Sequence, residues 1–422
     1  MRILTLSIAI LLCGMSTVRA QRQDLELIRG NDTLAYTYVP FDPSEMERSA
    51  APSESAAVKR GFFHRIIDYF DRANEDRTFE KKIDFSIIGG PSYSSTTKLG
   101  LGLMAVGLYR TDRTDSLTPP SNVSIFAAGS ITGFYSVGIR GNTIFRHDLN
   151  RLNYKLQFYS EPSEFWGVGY YAGAHHESDN FLENKASVDL RWTHRIARNL
   201  YAGAMVNFAY VTGSKFDDDK RSYLLDPSYP AAAVRYMNTE YVNTGIGLLA
   251  EYDTRDFQTN AYRGLYLSLD GTIFPKALNT CGGYTLWRVE FTAASYHRVW
   301  RDGIVAVELR GEFNSAHTPW PFMARMGGDI RMRGYYEGRY TDLDMMVAQV
   351  ELRQRIWRRI GAVVWAGAGN VFPRFSEFRW SQTLPNYGVG LRWEFKKRVN
   401  IRVDYGFGRR TSGLVLQINE AF

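Results

Sequence analysis

IVAVELRGEF, residues 304–313, alternates with a period of two: Val305, Val307 and Leu309 fall on one face, and Glu308, Arg310 and Glu312 on the other. Successive side chains of a strand point to opposite sides, so this is a strand with one apolar and one charged face. Charge at every second position is intolerable in a dry sandwich core. Lipid on one side and a water-filled lumen on the other accommodate both faces.

The same period runs from Ile83 to the end of the chain, in TTKLGLGLMAVGLYR (96–110), SVDLRWTHR (187–195), TGIGLLAEYD (244–253), VAQVELRQRIW (347–357) and YGVGLRWEF (387–395). Tilted membrane strands need about nine to eleven residues, and these segments supply them. Tight links at 198–199, 300–302, 358–359 and 396–398 alternate with long ones at 161–184, 214–240, 315–343 and 372–386. Short periplasmic turns and long external loops have this asymmetry in outer-membrane barrels. Seventeen segments qualify as strands. Two periplasmic termini require an even number, and EFWGVGYY (164–171) is the one to reject, because it then sits in a long external loop. The expected fold is all-β: a 16-stranded antiparallel transmembrane β-barrel over residues 83–422.

The rest of the chain agrees with export. Residues 1–20 carry Arg2, an apolar run from Ile3 to Leu12 and small residues leading to Ala20, the layout of a cleaved secretory signal. Cys13 leaves with it, Cys281 alone remains, and the mature chain has no intramolecular disulfide to form. Residues 21–57 are polar and rich in Ser and Ala, a periplasmic linker expected to be disordered. Within 58–75, Phe62, Phe63, Ile66, Ile67 and Phe70 recur at helical spacing, an amphipathic helix. No later stretch approaches the roughly 18 consecutive apolar residues of a membrane-spanning helix. With 26 Tyr, 25 Phe and 9 Trp, aromatics reach 14%, a density that suits interfacial girdles. The net charge of +7 comes from scattered basic residues with acidic ones between them, which is no nucleic-acid footprint.

The final segment, GLVLQINEAF (413–422), sets Leu414, Leu416, Ile418 and Phe422 on one face and Val415, Gln417 and Asn419 on the other. Alternation places Glu420 on the lipid side near the periplasmic interface. A terminal aromatic behind alternating apolar residues looks like the C-terminal signal read by barrel-assembly machinery, so Phe422 is expected to end the last strand.

Within the long connection at 315–343 stands GGDIRMRGYYEGRYTD (327–342), followed by VELR (350–353). With DTRDFQTNAYRG (253–264), WAGAGNVF (365–372) and IRVDYG (401–406), it resembles the BamA/TamA superfamily of outer-membrane assembly barrels, also called the bacterial surface antigen family. The resemblance implies that the loop folds back into the lumen and that Arg333, Gly334 and Tyr335 match its Arg-Gly-aromatic motif. Two departures stand out: Gly367 takes the place of the usual aspartate partner, and residues 21–82 hold no POTRA repeats.

An arginine inside a barrel presents five donors in a fixed fork and needs a lumenal carboxylate. Strand parity offers Glu308, Glu312, Glu351 and Asp404, and Gly334 lets the backbone turn sharply or approach the wall. The resemblance further implies insertion or translocation of other polypeptides, or of lipids, through an opening between the first and last strands. Gly89, Gly90 and Pro91 lie mid-strand in IDFSIIGGPSYS (83–94), where they weaken pairing. Together with Leu416, Ile418 and Phe422 they form the candidate lateral seam. The implied partners are outer-membrane lipids, client outer-membrane proteins and periplasmic partner proteins. The competing class is a passive channel or structural barrel without assembly activity.

Elsewhere the sequence offers little chemistry. His175, His176, Glu177 and Asp179 resemble metal ligands but lack a spaced second half, and no metal is expected. No hydrolase constellation or phosphate-binding Gly-rich loop is present, so neither enzyme activity nor a cofactor is expected.

Overall fold

Two-residue alternation over so many consecutive segments has one closed solution in lipid, because a sheet edge there would leave backbone groups without partners. The computed structural model describes residues 78–422 apart from 95, 96, 116, 117, 217–239, 259, 282, 397 and 419. The signal at 1–20, the linker at 21–57 and the helix at 58–75 lie outside the described residues.

The strands are β1 (Asp84–Ser94), β2 (Lys98–Tyr109), β3 (Ser121–Ser130), β4 (Tyr135–Ile144), β5 (Asn150–Phe165) and β6 (Asp179–Ala197). They continue as β7 (Leu200–Phe216), β8 (Tyr241–Asp253), β9 (Gly264–Phe274), β10 (Leu286–Trp300), β11 (Gly303–Asn314) and β12 (Ala324–Met326). The series ends with β13 (Tyr340–Asp342), β14 (Asp344–Trp357), β15 (Ile360–Phe372), β16 (Leu384–Lys396), β17 (Val399–Gly408) and β18 (Thr411–Ile418). All but β12 and β13 form one closed antiparallel barrel of 16 strands, in which β1 meets β18 and β11 meets β14. β12 and β13 pair separately, inside the connection between β11 and β14.

The register preserves the two faces. Val305 lies opposite Leu352 and Val307 opposite Val350, while Glu308 lies opposite Gln349. Leu101, Leu248, Leu391, Trp287 and Trp393 are exposed on the outer surface, as lipid-facing side chains are. EFWGVGYY contributes no barrel strand of its own. Glu164 and Phe165 end β5, and Tyr170–His175 forms a short helix, α1.

The links at 198–199, 301–302, 358–359 and 397–398 are tight and lie at the end of the barrel that holds both termini of the wall. Around the closure the expected asymmetry fails. The β1–β2, β3–β4 and β17–β18 links at the far end are also short, and β8–β9 at the terminal end spans 254–263.

Candidate lumenal lock and lateral seam

The 315–343 connection folds into the barrel because it carries a core of its own. Trp320 and Met323 pack with Phe165 and Phe181, and Met326, Met332, Tyr335 and Tyr340 pack with Met345, Val347 and Val371 of the wall. Its tip brings Arg333 to the inner faces of β14 and β17. The guanidinium is fully buried, donates through Nη1 to Asp404 Oδ2 at 2.8 Å and through Nη2 to Glu351, and lies over the Trp365 ring with 3.7 Å to the centroid. Glu351 and Asp404 are thus the two candidate carboxylates that meet Arg333.

The other two candidates serve other donors. Glu308 accepts from Gln349 Nε2 at 2.7 Å, and Glu312 pairs with Arg331 at 3.3 Å. At Gly367 an added Cβ would stand 2.8 Å from the Ala348 carbonyl oxygen, so the position of the family's usual aspartate is packed against β14.

Asp404 also receives Arg402 Nη1 at 2.8 Å and Arg392 Nη1 at 2.5 Å, and Glu351 receives Arg353 Nε at 2.9 Å. Four arginines therefore share this buried region with Glu351, Asp404 and Glu420. Attraction in a low-dielectric interior offsets the desolvation of such charges only when their hydrogen bonds are nearly complete. The arrangement accordingly fixes the loop's position more than it adds stability.

Gly334 has φ +102, and a Cβ there would stand 2.6 Å from the Gly406 carbonyl carbon. Only glycine allows that conformation and that approach at once. Tyr335 closes the contact: its hydroxyl donates to the Pro385 carbonyl oxygen at 2.7 Å and accepts from the Arg409 N–H at 2.6 Å.

At the seam, β1 is paired with β2 along its whole length, straight through Gly89, Gly90 and Pro91, so these residues do not interrupt that ladder. The thin pairing is on the other side. Among the described residues, β1 and β18 share one register pair, Tyr93 opposite Leu416.

The end of the chain corrects the sequence reading. β18 stops at Ile418, and Phe422 leaves the wall instead of ending the strand. Its ring packs near Tyr296 of β10, with centroids 6.4 Å apart, and its carbonyl oxygen accepts from Arg353 Nη2 at 2.7 Å. Glu420 is not on the lipid face: it accepts from Arg392 Nε at 2.7 Å and Asn400 Nδ2 at 2.6 Å. The physical reason is charge. Lumenal arginines on β14 and β16 offer this carboxylate what lipid cannot, and they draw the last residues inward.

A further contact escaped sequence reading because nothing local signals it. The β8–β9 turn reaches Arg398 in the β16–β17 turn, which donates to Asp256 Oδ2 at 3.0 Å and to the Asn260 carbonyl oxygen at 2.9 Å. Arg398 also lies 3.4 Å from the Tyr262 ring centroid. Together with residues 420–422, this turn closes over the terminal end.

His175, one of the four residues from which no metal site is expected, stacks on Tyr171 at 4.4 Å, and its Nδ1 lies 3.1 Å from the Tyr171 carbonyl oxygen. Among the described residues no group of three or more His, Cys, Asp or Glu side chains is placed to hold a metal. Burial pushes the Cys281 thiol up to about 12, so it stays protonated.

A family model described as the Omp85 superfamily domain matches residues 135–422. Among solved structures, BamA from Haemophilus ducreyi lacking POTRA domains 1–3 aligns with TM-score 0.53 at 11% identity, over 80% of this chain and 71% of that one. CdiB from Acinetobacter baumannii aligns with TM-score 0.52 at 11% identity, and CdiB from Escherichia coli with 0.53 at 10%. Each covers 80% of this chain, which spans 60% and 63% of the two CdiB chains. No curated protein matches the sequence.

Proposed function

Because this chain belongs to the Omp85 superfamily of bacterial outer-membrane barrels, we propose that it assists insertion or translocation of other polypeptides, or of lipids, through the seam between β1 and β18. The observation that carries the reading is that, among the described residues, β1 and β18 share one register pair, Tyr93–Leu416, set against a β1–β2 ladder that runs from Asp84 to Ser94. A wall held by one pair is the place where a client strand can add by main-chain hydrogen bonds, with alternate side chains facing lipid and lumen. β18 stops at Ile418, which shortens the segment a client must displace.

The Arg333 lock holds the 315–343 loop on β14 and β17, and β17 is the neighbour of the seam strand β18. It stiffens that flank while the β1–β4 flank moves. In this reading both termini of the barrel face the periplasm, and the tight turns sit on that side. A passive channel is the less favoured alternative, since the loop packs against the inner wall and the β8–β9 turn meets the β16–β17 turn from across the barrel.

Depletion of the protein followed by quantification of the remaining outer-membrane proteins and surface lipids tests the proposal. A fall in some of them is expected. Unchanged levels and topology of all of them would sink it.

A further inference from the structure

At the terminal end of the barrel, a cavity of about 60 Å³ is bounded by the β10–β11 and β14–β15 turns and by β14–β17. A water needs about 10–15 Å³ of such space, so the cavity admits a group of about the size of a phosphate. Seven arginines line it against three carboxylates, Asp302, Glu394 and Glu420. Glu420 is met by Arg392 at 2.7 Å, and Glu394 lies 4.0 Å from Arg355. Arg298, Arg301 and Arg358 are exposed, and among the described residues no carboxylate lies within ion-pair distance of them. Asp302 offsets one of these three charges and leaves an excess. Arg353 adds a buried donor to the same lining. Its Nε and Nη2 are taken by Glu351 and by the Phe422 carbonyl oxygen, while its Nη1 is buried without a hydrogen-bond partner. Negative charge in the adjoining cavity would offset that desolvated cation.

The outer surface at the same two turns is apolar. Trp300 and Trp357 immediately precede Arg301 and Arg358. Trp300 lies opposite Gly303 and Trp357 opposite Ile360, positions that share the outward parity of Val305 and Val364. Both rings are exposed, and Trp300 Nε1 donates to Gln354 Oε1 at 2.7 Å. Tryptophan at the end of a membrane strand marks the level of the headgroups, and the arginines stand one residue beyond it. Gln354 and Ile360, of the same outward parity, also line the cavity, which therefore reaches the rim where lumen and lipid face meet.

We propose that this cavity binds the phosphate of an anionic phospholipid in the leaflet at the terminal end, with the acyl chains against the outer wall beside Trp300 and Trp357. The planar guanidinium forks of Arg298, Arg301 and Arg358 match phosphate geometry. Their excess charge disfavours a headgroup that carries its own ammonium. The tryptophan pair favours a lipid over a soluble anion, which has no apolar part to lay on the rings. The site requires that the barrel lie in lipid, and it does not depend on whether a client strand ever enters the seam.

The test is native mass spectrometry of the full chain released from detergent micelles that hold equal amounts of phosphatidylglycerol and phosphatidylethanolamine with the same acyl chains. The glycerol lipid is expected to be retained about tenfold more than the ethanolamine lipid. Arg301→Gln/Arg358→Gln should erase that preference while the barrel keeps its heat-modifiable migration on gels. Arg195→Gln/Arg198→Gln, which removes the same charge from the β6–β7 turn region at the same end, should keep the preference. Equal retention of the two lipids by the wild type, or loss of the preference in both double variants alike, would overturn the proposal. Displacement of the glycerol lipid by an equal concentration of inorganic phosphate or of hexaglutamate would overturn it too, because the ligand would then be a soluble anion.

Discussion

Arg333 reaches Asp404 across 71 residues of chain, with Nη1 donating to Oδ2 at 2.8 Å and both side chains fully buried. The pair ties the tip of the lumenal loop to β17, the strand that carries β18 and hence one flank of the seam. Removing Arg333 takes one buried donor from each of Glu351 and Asp404, which keep Arg353, Arg392 and Arg402. Arg333→Ala should therefore cost about 1–3 kcal/mol of barrel stability, read as the urea midpoint in vesicles, and should raise conductance in planar bilayers. Unchanged stability and conductance would remove the lock from the account. Arg333→Lys keeps the charge but not the fork, and should fall between the two.

The close approach of Gly334 to Gly406 makes a separate prediction. Gly334→Ala places a side chain at φ +102 and 2.6 Å from the Gly406 carbonyl carbon. Residues 327–342 should become accessible to protease although every charge of the network remains. Protection equal to that of the wild type would contradict the packing described.

Arg398 predicts the opposite balance. Its pair with Asp256 is partly exposed, so Arg398→Ala should cost at most about 1 kcal/mol. Release of the β8–β9 turn should nevertheless raise single-channel conductance, because that turn covers the terminal end. A change in stability without a change in conductance would show that the turn closes nothing.

Asp342 gives the loop a pH dependence. Burial pushes its carboxyl up to about 7, far above the ordinary value of an unfolded chain. The group thus favours the folded loop most fully below about pH 4, and that contribution is lost as the pH rises toward 7. Thermal midpoints of the wild type should fall across this window relative to Asp342→Asn, which has no charge to acquire. Parallel pH profiles would refute the assignment.

Strand count and strand faces were legible in the sequence because alternation is local and repeats in every strand, whereas the lumenal course of the motif loop followed only from the family resemblance. Rejecting EFWGVGYY as a strand was possible from parity, although its helix at Tyr170–His175 was not. Parity misled at the end of the chain, where it put Glu420 in lipid. The corrective signal was present: Arg353, Arg392 and Arg402 share inward parity near the terminal end of the barrel, where a further carboxylate finds partners that lipid does not offer. Contacts such as Arg398 with Asp256 join residues 142 apart and leave no periodic trace. The same holds for the β12–β13 hairpin, whose three-residue strands are too short to show a period. At Gly89–Pro91 the sequence marked the right strand but the wrong ladder, since pairing with β2 is intact and the thin pairing is with β18.

The seam is the central claim, and Tyr93 and Leu416 are the pair that closes it. They lie opposite each other in an antiparallel ladder, where Cα separations of about 4.5–5.5 Å suit a disulfide. With Tyr93→Cys/Leu416→Cys as the sole copy in cells, the levels of other folded outer-membrane proteins should fall while the pair is oxidised and recover on addition of reductant. Equal levels in the oxidised and reduced states would contradict a seam that must open.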